Sequence, residues 1–369
     1  MKPGHRVLVR ELAETPTEAL QEGTPYLALE TMAPPDPATL GPRDVIIEVR
    51  SASVGWVDLL MTSGQYQHLA KPPYCPGLES AGIVVHKGPE ASDAVALGDR
   101  VLVDGLLAGP RSLGAYQAWG GFASYVVAPA EAVLPIPDEL GFDEACNLLG
   151  NYETAYHCLV ARGRLGAGET VLIHGASGAT GLAAVQIAKV VGARVIATGR
   201  SDDKLAVVKA QGADHVVNTK GEGGALRSFR DEVKALTGGA GVDVVYDGVG
   251  GEISLESLRC MRFGARFLVV GWAATPFVAK KGQKSAQSAN VLPTNLILMK
   301  GRDVLGCPTA IATLHDPSIR APRLSLVLRW AEQGRIRPHV SHTFPLCDFR
   351  EAMRAKWRGD VIGGCVVHP

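Results

Sequence analysis

Residues 170–191 read TVLIHGASGATGLAAVQIAKVV, and the fold of the chain turns on what this stretch is. An apolar run, TVLI, stops at His174; glycines stand at 175, 178 and 181; an Ala-rich segment of helical texture follows. In a mononucleotide-binding unit the first strand ends at a tight glycine turn, and the next helix aims its N-terminus at a pyrophosphate. Glycine lets the backbone approach the phosphates, while unpaired amide donors and the helix dipole favour their negative charge. Gly175, Ser177, Gly178, Ala179, Thr180 and Gly181 form the candidate cradle, with the two hydroxyls as extra donors. The spacing is G-x-x-G-x-x-G, one residue longer at the front than the usual G-x-G-x-x-G. The competing reading is a glycine turn kept only for close helix–strand packing. Strand, turn, helix and second strand in the required order favour the dinucleotide.

Downstream the same texture repeats. RVIATG (194–199), HVVN (215–218), VDVVYDGVG (242–250) and RFLVVGWA (266–273) read as strands, with helical stretches at DDKLAVVKAQG (202–212) and Ser254–Met261. Upstream, ACNLLGNYETAYHCLVAR (145–162) reads as a helix. Strands alternating with helices of roughly 10–15 residues predict a parallel, doubly wound α/β sheet. Before Phe142 the texture differs: VIIEVRSASV (45–54), AGIVVHKG (81–88), DRVLVDG (99–105) and FASYVVAP (122–129) are short β runs broken by Gly and Pro. They predict a mostly antiparallel β domain. Residues 276–295 are polar and weakly periodic, as in a long loop. A helix around Arg323–Gln333 then leads to a strand–helix–strand tail.

With 369 residues the chain has room for two ordinary domains, and 46% apolar against 20% charged residues supplies their cores. Lys+Arg and Asp+Glu are each 37, so no net charge draws the chain to nucleic acid or an anionic membrane. No uninterrupted apolar run reaches the length of about 18 residues that marks a membrane span. The N-terminus, MKPGHRVLVRELAETPTEAL, meets charge before an apolar block forms, unlike a secretory signal. Seven cysteines, scattered and never in a CxxC pair, suit reduced thiols in a cytoplasmic compartment.

The end of the second strand selects the dinucleotide. An acid there would bind the ribose 2′-hydroxyl and repel a 2′-phosphate. This chain reads ATGRSDDK, placing Arg200 and Ser201 at the strand end and Lys204 one helical turn on. Arg200 can fork two bonds to a phosphate, which favours NADPH over NADH. The alternative leaves Arg200 solvated and lets Asp202 read the ribose.

Taken along its length, the chain resembles the medium-chain dehydrogenase/reductase superfamily, and within it the zinc-free quinone oxidoreductase, or zeta-crystallin-like, branch. The anchors are SVGWVDLLMTSGQY, PGLESAGIV, LGDRV, GGFASYVVAP, TVLIHGASGATGLAAVQIAK, GADHVVN, DVVYDGVGG, FGARFLVVG and LILMKG. The resemblance implies a GroES-like catalytic domain made of residues 1–141 and 309–369, a Rossmann domain of 142–308, and a substrate cleft between them. It also implies a homodimer built by pairing edge strands of the Rossmann sheets, for which RFLVVGWA is suitably apolar.

Zinc-dependent members carry ligands where this chain has Gly55, Leu78 and Asn151. Glycine and leucine offer no ligand atom in their side chains, and an asparagine amide is poor beside thiolate or imidazole. The structural-zinc lobe needs four close cysteines, and DGLLAGPRSLGAYQAWGG (104–121) has none. No metal is therefore expected, which disfavours reduction of an unactivated ketone. The implied reaction is hydride transfer from NADPH to a quinone or an α,β-unsaturated carbonyl compound.

The resemblance places Tyr66 where enoyl reductases keep a proton-donating tyrosine; its ring could instead pack against nicotinamide while water supplies the proton. It places Thr154 on the nicotinamide side, Asn218 near the adenosine, and the turns at Val249–Gly250 and Gly271–Trp272 along the cleft. Many quinone oxidoreductases carry Asn where this chain has Gly55, and Trp56 follows as a candidate to shape the space. Two alternatives stand: an enoyl-thioester (enoyl-CoA) reductase, and a non-catalytic NADPH-binding structural or regulatory protein of zeta-crystallin type. Lys280, Lys281 and Lys284 fall in the polar loop, where a solvated segment is the plainer reading than an anion site.

Overall fold

In the computed structural model, which describes residues 1–66, 68–92, 94–112, 114–275 and 290–369, the first part of the chain carries seven strands. These are β1 (Gly4–Val9), β2 (Leu27–Met32), β3 (Asp44–Ser53), β4 (Ser80–Lys87), β5 (Arg100–Val103), β6 (Tyr125–Pro129) and β7 (Val133–Pro135). The middle carries β8 (Thr170–Ile173), β9 (Arg194–Gly199), β10 (His215–Asn218), β11 (Val242–Asp247), β12 (Met261–Val269) and β13 (Asp303–Gly306). The end adds β14 (Val340–Pro345) and β15 (Gly364–His368).

The middle strands make a six-stranded sheet ordered β10-β9-β8-β11-β12-β13, parallel throughout. β8 lies inside it between β9 and β11, which is why TVLI is a continuous apolar run and not an alternating one. Chain order reverses between β8 and β11, the switch point at which such sheets take ligands beyond their carboxyl ends. The Ala179–Val191 helix follows β8 and buries Leu182 through Ala188; it ends on Gly192, whose φ of 88° suits a residue without Cβ.

The first part and the end share a seven-stranded sheet. β3 pairs antiparallel with β4, β6 and β15, and β5 lies between β4 and β7. Its core is built on Phe122, Tyr74, Ile46 and Ile47, all buried. Trp56 stacks on Trp357 of the Phe349–Arg358 helix, ring centroids 5.0 Å apart and 9° between planes. Its ring is thus held by the C-terminal helix.

Among the described residues, Met1–Gly150 with Arg337–Pro369 form one unit, and residues 151–275 with 290–336 form the other. Relative to the expected division, Phe142–Gly150 join the first unit and residues 309–336 the second. The physical ties are visible in both cases. Gly150 N–H donates to Glu79, and Arg320 and Arg323 bind Glu153.

RFLVVGWA is not at an edge: β12 has β11 on one side and β13 on the other. The free edges of the parallel sheet are β13 and β10. The expected helix at Ser254–Met261 is Glu252–Cys260, and Met261 already opens β12. The helix expected over 145–162 is interrupted and changes character: Phe142–Ala145 is one turn, Leu149–Tyr156 is α, and His157–Arg162 is a π-turn. Residues 276–289, with Lys280, Lys281 and Lys284, lie outside the described residues.

Candidate functional site

The turn after β8 uses its three glycines differently. Gly175 has φ +62°, a backbone conformation that L side chains rarely adopt. Gly178 has an ordinary φ of −74° and serves as N-cap of the Ala179–Val191 helix. Gly181 is a matter of space: a Cβ there would lie 2.3 Å from Gly175 O and 2.8 Å from Ala176 Cα. Packing and ligand approach are thus served by the same motif. Gly178 N–H donates to Gly175 O (3.0 Å) and Leu182 N–H to Gly178 O (2.8 Å). The amides of Ala179, Thr180 and Gly181 fall in the first turn, ahead of any intrahelical acceptor. Ser177 and Thr180 are half-buried; Thr180 Oγ1 donates to Asn151 Oδ1 at 3.0 Å. A diphosphate fits this cradle: exposed backbone, oriented donors and a helix N-terminus of thirteen residues.

His174 sits beneath the turn. Its Nδ1 is 2.7 Å from Thr198 Oγ1 and its Nε2 is 2.6 Å from Ser257 Oγ. Ser257 already donates its hydroxyl proton to Ile253 O (2.6 Å). The proton between His174 and Ser257 therefore belongs to Nε2, and Thr198 donates to Nδ1. Burial pushes the imidazole down to about 4, so it stays neutral.

The other predicted cofactor residues gather at the carboxyl ends of the same strands. Arg200 and Ser201 follow β9; Arg200 is exposed and engages no acid among the described residues. Ser201 is N-cap of the Asp202–Ala210 helix, which carries Lys204. Asn218 ends β10 and donates to Asp202 Oδ1 at 2.7 Å, so the nearest acid is already engaged. Val249 and Gly250 follow β11, Gly271 and Trp272 follow β12, and Thr154 lies half-buried on the Leu149–Tyr156 helix. Asp247, which pattern reading missed, shapes the β11 turn: its Oδ1 accepts from Val249 N and Gly250 N, each at 2.9 Å, and its other oxygen takes the Ser254 hydroxyl. An Asp just before G-V-G is the signal of such a side-chain-closed turn.

Tyr66 belongs to the first unit. It is half-buried, edge-on to His68 with ring centroids 5.7 Å apart. Burial and the Arg111 charge push the His68 imidazole down. In that unit also lies a buried polar cluster. Asp58 accepts from Gly55 N (2.9 Å), Gly77 N (3.0 Å) and Leu78 N (3.1 Å), yet burial raises it to about 6. Glu79 accepts from Gly150 N at 2.6 Å, and burial, opposed by Arg111, raises it to about 7. Asp58 thereby ties together the Gly55 and Leu78 backbones, two of the three positions where zinc-dependent relatives would carry ligands. Among the described residues no group of three His, Cys, Asp or Glu is placed to hold a metal ion.

A parallel doubly wound sheet with a glycine turn at its switch point, together with an antiparallel GroES-like sheet, defines a dinucleotide-dependent dehydrogenase or reductase of the medium-chain type. Known families agree. Residues 179–312 match the model described as zinc-binding dehydrogenase, and residues 41–138 the alcohol dehydrogenase GroES-like domain. The chain is 31% identical to mouse quinone oxidoreductase-like protein 2 over 88% of its own length and 86% of that protein's. It superposes on a probable oxidoreductase from Mycobacterium abscessus with TM-score 0.78 and 30% identity, covering 100% of both chains. It also superposes on the quinone oxidoreductase of Thermus thermophilus, solved alone and with NADPH, with TM-score 0.73 and 25% identity over 99% of this chain and 100% of that one. The chain belongs to the quinone oxidoreductase branch of the medium-chain dehydrogenase/reductase superfamily, and is an oxidoreductase.

Proposed function

We propose that this protein is an NADPH-dependent, zinc-independent oxidoreductase that reduces a quinone or an α,β-unsaturated carbonyl compound. The observation that carries the reading is the glycine-rich Gly175–Gly181 turn at the carboxyl end of β8, with the Arg200 guanidinium, unengaged among the described residues, following the adjacent strand β9. Reduced nicotinamide, when bound, supplies the hydride. The Ala179, Thr180 and Gly181 amides hold the diphosphate, with Ser177 and Gly178 completing the bend. Arg200, Ser201 and Lys204 take the 2′-phosphate, and Asn218 borders the adenosine. Thr154, Val249, Gly250, Gly271 and Trp272 orient the nicotinamide end. Tyr66 gives its phenolic proton to the oxygen on which charge develops.

Zinc independence rests on the donor set. Gly55 and Leu78 have no ligating side chain, and the Asn151 amide oxygen already accepts from Thr180. We also assign a homodimer through the free edge of β13, which carries the exposed Val304, with exposed Phe263 on β12 and exposed Leu298 and Met299 in the segment before β13. The proposed compartment is the cytoplasm: all seven cysteines are free thiols, and no helix among the described residues is long and apolar enough to cross a membrane.

The test is a substrate panel of 1,2-naphthoquinone, a small enone and an enoyl-CoA, followed by loss of NADPH absorbance. Steady oxidation with the quinone or enone is expected. Preference for the thioester would move the assignment to an enoyl-CoA reductase, and NADPH binding without turnover across the panel would move it to a scaffold. Metal analysis is expected to find no stoichiometric zinc; one equivalent per chain would overturn zinc independence.

A further inference from the structure

The second unit carries another recess, built wholly from its own residues. The Leu149–Tyr156 helix widens into the π-turn His157–Arg162, a distortion common at functional positions. Together with residues of the Arg320–Glu332 helix, this segment lines a pocket of about 680 Å³, within the range of small-molecule sites. Ile319, Pro322 and Leu326 give it apolar wall.

Its polar groups point to a ligand. His157 lines the pocket and is only 4% exposed, yet neither ring nitrogen has a hydrogen-bond partner among the described residues. An unsatisfied buried polar group is destabilising, and a ligand with the right acceptor relieves the N–H. Burial, with the Arg323 and Arg162 charges, pushes the imidazole down to about 4, so the ring is neutral, with one N–H to donate. The charge around it is positive. Arg320 and Arg323 are both buried and both bind the single carboxylate of Glu153, at 3.2 and 3.1 Å. Arg329 stands exposed at the pocket with no acid engaged among the described residues, and no Asp or Glu lines the space. Such a field favours an anion. The apolar wall disfavours a bare phosphate, whose oxygens would face carbon unpaired.

We propose that this pocket binds a small organic carboxylate, its charged end on Arg329 and His157 and its hydrocarbon body on Ile319, Pro322 and Leu326. None of these residues belongs to the glycine turn or to the proposed reaction, so the site is additional to both.

Benzoate, benzyl alcohol and inorganic phosphate, titrated into the full chain saturated with NADPH, test it. Binding is followed by calorimetry and by the imidazole NMR signals of His157, assigned by their loss in His157→Phe. Benzoate is expected to saturate, to shift those signals, and to bind about tenfold tighter than either comparison compound. Arg329→Ala, at an exposed position where folding is not at stake, should weaken benzoate about tenfold and leave NADPH oxidation unchanged. Equal affinity for the alcohol, tighter binding of phosphate, unmoved His157 signals, or full benzoate affinity in Arg329→Ala would each overturn the proposal.

Discussion

The bend at Gly175–Gly181 and the cluster around Asp58 and Glu79 handle polarity in opposite ways. At the bend three of seven side chains are absent, and the Ala179, Thr180 and Gly181 amides of the first helical turn precede any intrahelical acceptor. In the cluster the backbone faces inward, and carboxylates are turned onto it. Asp58 satisfies three N–H groups and Glu79 one, both with a pKa raised by burial. A site can therefore be organised by removing side chains or by burying charged ones, and only the first leaves a compact trace in sequence.

The contrast can be broken at either end. The largest effect is expected from Gly181→Val, which sets a Cβ against Gly175 O and Ala176 Cα, backbone atoms that cannot swing aside. Thermal unfolding should show a loss of about 3 kcal/mol or more, with NADPH binding lost; a stability unchanged by the swap would mean the bend is not closely packed. Next, Tyr66→Phe should slow enone turnover about 100-fold while NADPH affinity holds. Unaltered turnover removes Tyr66 as donor. Arg200→Ala should weaken NADPH about 30-fold and NADH hardly at all, the loss of charge-assisted bonds; equal effects on both coenzymes refute the 2′-phosphate contact.

The smallest effect belongs to the cluster. The folded-state pKa of Glu79 lies above its unfolded value of 4.5, at about 7. The native state therefore holds this proton more tightly, and the contribution of Glu79 to stability declines as pH rises from about 4.5 through 7. Glu79→Gln keeps an acceptor for Gly150 N–H and removes that decline, so the variant should gain roughly 1–2 kcal/mol on wild type between pH 4 and pH 8. Parallel stability–pH curves would show that the carboxylate is not held in the protonated form.

The α/β sheet and its glycine bend were legible because their constraints are local: a continuous apolar strand, then glycines, then a helix, all within residues 170–191. In the antiparallel sheet β3, β4, β5 and β6 were legible, though β7 escaped, as did the separate β1–β2 pair, its partners lying 18 or more residues apart along the chain. The position of β12 inside the sheet was not legible, since nothing in RFLVVGWA announces that β13 lies beyond it. Nor were the cluster's partners. Glu79 meets Gly150 across 71 residues, and Asp58 meets Gly77 across 19; a lone carboxylate in a GLE triplet carries no mark of such a partner. The π-turn at His157 was hidden for the same reason, because its form depends on which residues pack around it; Asp247, whose backbone partners lie two and three residues on, carried a local signal that went unread.

One consequence follows from the way His174 is wired. Pinned between Thr198 and Ser257 in a single tautomer and resistant to protonation, it places no titrating charge one residue before the bend. From about pH 5 upward this ring adds no charge to the field set by the peptide dipoles and the Ser177 and Thr180 hydroxyls. In the proposed binding mode, protonation of His174 does not modulate the hold on the coenzyme at this bend in that range.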